Sequence, residues 1–169
     1  LENGSKEMKV VAIECLGDSP EDLSFLLEQA KAKAKDVRTA AFKAIAKIDT
    51  GDAITLLHGV IKGNDIDLAV EPIRKSRNPK ILEIVLAEAK AQWDGLFGVK
   101  GSKDKDKDKK EAGKRIDRMN SLLECLRERD DKDSEAFLLA CFADRERLLD
   151  LKGEPLSGAD VRQKLIGLL

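Results

Sequence analysis

The feature that most constrains this chain is an internal repeat about 29 residues long, visible when the sequence is compared with itself. The stretches Met8 to Leu27, Val37 to Leu57 and Asp65 to Val85 each hold a helical apolar pattern, a short turn with Asp, Gly, Asn or Pro, and a second helical apolar pattern. Aligning the first helices superposes Ala12, Ala41 and Ala69 at offsets of 29 and 28, with Leu16, Ile45 and Ile73 one turn later. The small residue permits close approach of two helices and the larger one fills the layer behind it. In the second helices Leu26–Leu27, Leu56–Leu57 and Ile84–Val85 correspond, with one extra turn residue in the second unit. A fixed period of this length marks hairpins that bury an apolar wall only by stacking on one another.

A fourth unit, Arg118 to Phe142, repeats the second at a constant offset of 81: Leu122, Cys125 and Leu126 fall on Ala41, Ala44 and Ile45, and Phe137 and Leu138 on Leu56 and Leu57. Asp160-Val161-Arg162 then repeats Asp36-Val37-Arg38, which places Leu165, Leu168 and Leu169 on the positions of Ala41, Ala44 and Ile45. This half-repeat has no second helix, and the expectation is that the native polypeptide continues and covers it.

The units resemble the short HEAT-like repeats of phycobilisome-lyase-type and related armadillo-like proteins, whose pattern is D-x-V-R-x-x-A-x-x-A-L, a Gly/Asp turn and a Leu-rich helix. The closest match is Asp36-Val37-Arg38-Thr39-Ala40-Ala41-Phe42-Lys43-Ala44-Ile45; Lys9 and Ile66 stand where the first and third units would carry Arg. The resemblance implies an all-α fold, a right-handed α-α superhelix of about four hairpins plus a terminal half-repeat, forming a single domain over 1–169. It also implies binding of a protein or peptide through the polar face of the second helices, in the manner of a scaffold. Similar proteins include bilin lyases and base-excising DNA glycosylases, so an enzyme or accessory subunit of those kinds is an alternative. A spacer that holds flanking domains of a longer protein apart is another.

Composition supports helices: aromatics are 4% with no tyrosine, while charged residues are 37% and cancel to a net charge of -1. That balance creates no global field for phosphate backbones or anionic lipid, which argues against nucleic acid and membrane partners. No apolar run reaches the roughly 18 residues of a membrane span, and a cytoplasmic location is expected. Cys15, Cys125 and Cys141 lie in apolar helical stretches without a C-x-x-C pair, and so read as core thiols of a reducing compartment. No cofactor or metal is expected: His58 is the sole histidine, and phosphate loops of the G-x-G-x-x-G or Walker type are absent. No catalytic constellation emerges, for nothing in the sequence places Glu83, Glu88, Asp130, Asp131 or Asp133 in pairs around a substrate.

Helices are expected at about 5–16, 20–34, 36–48, 52–62, 65–76, 79–96, 112–129, 132–150 and 158–169. Residues 99–112 form a charged low-complexity insertion between the third and fourth units, read as a mobile loop that the next helix absorbs in part. Between 99 and 118 nine Lys/Arg face five Asp/Glu. Pro72 falls inside a first helix, where a kink is expected. The candidate partner-binding residues are Ser24, Glu28, Thr55, Lys62, Glu83 and Lys90 on second helices, with Trp93 as either anchor or core seal. Arg74, Lys75, Arg77 and Lys80 form a candidate basic patch that either binds phosphate or complements a helix C-terminus.

Overall fold

The computed structural model describes residues 5–16, 18–97, 105–127, 129, 131–150 and 158–168. These are all-α, with no strand among them. The elements are α1 (Lys6–Glu14), a 3-10 turn (Pro20–Asp22) leading into α2 (Leu23–Gln29), α3 (Lys35–Ile45), α4 (Gly51–Lys62), α5 (Ile66–Lys75), α6 (Pro79–Phe97), α7 (Lys105–Leu126), α8 (Lys132–Ala143), a 3-10 segment (Arg145–Asp150) and α9 (Gly158–Leu168). Contacts divide the chain into two compact units, Leu1–Ile84 and Val85–Leu169, with the boundary inside α6.

Helix starts follow from local chemistry. The hydroxyls of Ser5, Ser19 and Thr50 accept from the backbone N–H groups of Met8, Glu21 and Ala53, and Asp131 Oδ1 accepts from Ser134 N at 2.7 Å. Each of these oxygens satisfies a donor that the first helical turn leaves free. Pro79 stands at the first position of α6, where its missing N–H costs nothing.

In the N-terminal unit α3 packs on α1, α2 and α5, and α5 packs on α4. The first helices of the repeat, α1, α3 and α5, therefore touch in succession. Ala41, Ile45, Ala69, Ile73, Leu26 and Leu57 are fully buried, as the repeat register predicts, whereas Ala12 and Leu16, their counterparts in the first unit, are half-buried. Polar links span about one period: Asn78 Nδ2 donates to Asp49 Oδ1 at 2.6 Å, 29 residues away, joining the turn after α5 to the turn after α3. Arg38, on α3, donates to the carbonyls of Ala32 and Lys33 at 2.9 and 3.1 Å and to Asp65 Oδ1 at 3.1 Å, at the start of α5. Its side chain is only 15% exposed. Arg38→Ala is expected to lower stability by about 2 kcal/mol, since a charged donor leaves three acceptors without it; urea denaturation measures the loss. Arg38→Lys should recover under half of it, because an ammonium lacks the fork that spans these oxygens.

Arg38 also explains a departure from expectation. The second helix was expected to run to residue 34, yet α2 stops at Gln29, and the carbonyls of Ala32 and Lys33 in the following turn are taken by Arg38. Pro72 sits inside α5 and the helix continues past it to Lys75.

In the C-terminal unit α9 packs on α7, α8 and the 3-10 segment around Leu122, Leu126, Cys141, Leu148, Val161 and Leu165. One expectation is met in part and another is corrected here. Residues 105–112 are the opening turns of α7, so the next helix absorbs this part of the insertion and begins earlier than the expected 112, because propagation from a segment anchored at Ile116 needs no new nucleus; residues 99–104 lie outside the described residues. Helix α8 ends at Ala143, and the chain tightens into the 3-10 segment in place of α-helix to 150. Leu165, on the half-repeat, is fully buried in a helix that packs on α7 and α8, while Ile166 beside it is 51% exposed.

Candidate protein-binding surface

Of the residues expected to meet a partner, Ser24 and Glu28 on α2, Thr55 and Lys62 on α4, and Glu83 and Lys90 on α6 are all exposed. Their spacings, i,i+4 on α2 and i,i+7 on α4 and α6, place each pair on one helix face. Thr55 Oγ1 donates to Gly51 O at 2.8 Å, so its hydroxyl meets solvent as an acceptor. Trp93 does not belong with them: it is 6% exposed and packs edge-to-face on Phe97 at 5.4 Å, with the Arg147 guanidinium over the Phe97 ring at 4.1 Å. An indole whose face is covered seals its unit and cannot anchor a partner.

Thr55 lies on the rim of an open groove of about 320 Å³ along α4. Its lining includes Ala30, Phe42, Leu56, Gly59 and Val60, with Lys31 and Asp65 bringing opposite charges to it. A Cβ built on Gly59 would meet nothing within 4 Å, so packing does not require glycine there. Glycine inside a helix is itself unfavourable, and its presence keeps the groove open. The sequence reading missed this feature; the short stretch Leu56 to Val60, apolar or small except for His58, was its only trace.

The candidate basic patch is split. Arg77 and Lys80 are exposed and Arg74 is half-buried. Lys75 bonds Glu71 Oε1 at 2.6 Å and joins Lys43 and Lys47 around a second, smaller depression of about 130 Å³ between α3 and α5. The hydrogen bond from Lys75, with the charges of Lys75, Lys43 and Arg74, holds the Glu71 carboxyl below its usual range. Lys47 and Lys75 are repeat equivalents at the offset of 28, which would have flagged them as neighbours in a stack.

His58 is half-buried on α4, in keeping with a packing role. Among the described residues no group of three or more His, Cys, Asp or Glu side chains is arranged to hold a metal, and no helix is long and apolar enough to cross a membrane. Two of the carboxylates weighed in the sequence find structural partners: Glu88 pairs with Arg118 at 2.9 Å, and Asp131 caps α8 and lies 3.7 Å from Arg129; Asp130 lies outside the described residues. Compared with family models, curated proteins and solved structures, the chain matches none.

The cysteines correct one expectation. Cys125 and Cys141 are buried, but Cys15 is exposed at the C-cap of α1. Burial, with the nearby charges of Asp144 and Asp94, pushes the Cys141 thiol up to about 12. The thiolate is the reactive form, so Cys141 is inert at pH 8. One thiol per chain is expected to react quickly with Ellman's reagent under native conditions, and Cys15→Ser should abolish that phase; a second fast thiol would contradict the burial.

Proposed function

We propose that this chain is a protein-interaction module, a HEAT-like solenoid that docks a segment of a partner protein along its second helices. The observation that carries the reading is the open groove along α4, which sets an apolar floor of Phe42 and Leu56 beside exposed polar side chains and leaves Gly59 uncovered. A floor of that kind supplies desolvation energy, and a polar rim supplies orientation. The succession α1, α3, α5 and the Asn78–Asp49 link across 29 residues support the solenoid part of the proposal. In such a stack, affinity is spread over small contributions from each hairpin.

The test uses the immobilised chain beside a variant with S24R, E28K, T55R and K62E, matched by circular-dichroism melting. Partners held by the parent are expected to fall about tenfold on the variant, as loss of roughly 1.4 kcal/mol spread over four contacts requires. Equal retention by both would remove the second-helix face from the proposal. Gly59 separates stability from binding: Gly59→Ala should raise stability by about 0.5–1 kcal/mol through helix propensity alone, whereas Gly59→Trp fills the groove and should abolish partner retention without unfolding the chain.

A further inference from the structure

The depression between α3 and α5 shares no lining residue with the α4 groove. Its floor holds the half-buried Ala46 and the buried Pro72, and Lys43, Lys47, Lys75 and Glu71 surround it. Three lysines against one glutamate leave an excess of two positive charges. Cations near helix C-termini commonly answer the macrodipole, and α3 and α5 both end here, at Ile45 and Lys75. Two helix ends offer together about one negative charge, which is less than the excess. Lys43 lies in the last turn of α3, and Lys47 just beyond its end. Among the described residues neither forms a salt bridge.

We propose that this depression is a second docking site, which takes an acidic segment of a partner protein with a small apolar side chain between its carboxylates. Charge complementarity selects the carboxylates, and the alanine and proline floor, extended by the lysine stems, receives the apolar group. A nucleic-acid strand fits less well. Strand binders stack bases on exposed rings, and here Phe42, Trp93 and Phe137 are buried and no aromatic lines the depression.

The experiment is fluorescence anisotropy of the full chain with an end-blocked, fluorescein-labelled pentapeptide of four glutamates around a central valine, and with its lysine counterpart. The acidic peptide should bind and the basic one should not. K43E/K47E should weaken the acidic peptide about tenfold, while K33E/K35E, an equal charge change at exposed positions outside the depression, should weaken it by less than about twofold. Gly59→Trp should leave it unchanged, which separates this site from the α4 groove. Equal weakening by the two double variants, displacement by oligo-dT at matched charge, loss on Gly59→Trp, or no binding at millimolar chain would each overturn the proposal.

Discussion

Leu57→Ala is expected to lower the stability of the N-terminal unit by about 3 kcal/mol, the cost of deleting buried methyl groups and keeping the hole they leave. Leu57 is fully buried in α4, and the first-helix residues Ala41 and Ile45 are buried as completely. The site has little freedom to collapse, because α3 is held on three sides by α1, α2 and α5. The adjacent Leu56 is half-buried and lines the groove, so Leu56→Ala should cost only about 1 kcal/mol. Urea denaturation followed at 222 nm measures both. Because the chain falls into two compact units, the loss should appear as an earlier N-terminal transition, with a second transition left in place. A loss below about 1 kcal/mol for Leu57→Ala would mean that α4 does not share the core that its register predicts.

The second large effect lies in the C-terminal unit. Arg118 on α7 meets Glu88 on α6 at 2.9 Å, with side chains only 15% and 12% exposed, and Gln92 Nε2 donates to the same carboxylate oxygen at 2.9 Å. Glu88→Ala takes the carboxylate from a largely desolvated guanidinium and is expected to cost about 3 kcal/mol, the low end for a buried pair because some solvent reaches it. The double change Glu88→Leu with Arg118→Met removes both charges and keeps the volume, so it should return to within about 1 kcal/mol of the parent. Salt should change these values little, since screening acts weakly on buried pairs. If the double variant is as unstable as the single one, the pair is serving a packing role that neither leucine nor methionine reproduces.

Periodicity made the helices and much of the core legible. The register that superposes Ala41 on Ala69 and Ile45 on Ile73 depends only on which side of a 3.6-residue turn is apolar, and those positions are buried. Caps were legible for the same local reason: Ser5 and Ser19 need only their own helix starts to find a donor. The candidate sites were less accessible. Exposure of Ser24, Glu28 and Thr55 followed from the polar face, but the α4 groove is lined by Phe42 of α3 together with Leu56 and Gly59 of α4, a relation between helices.

The sequence by itself determined that the described chain is helical, where most helices begin and which stripe of each is apolar, because these depend on spacing within about a dozen neighbouring residues. Tertiary structure alone decided which apolar residues are covered: Trp93 goes inside, whereas Met8 at 62% and Val11 at 59% exposure stay outside on α1. It also decided which charges meet, joining Arg38 to Asp65 and Glu88 to Arg118 across 27 and 30 residues. The physical reason is that burial and ion pairing belong to the space between elements, and a one-dimensional pattern states what each helix offers but not what stands opposite it.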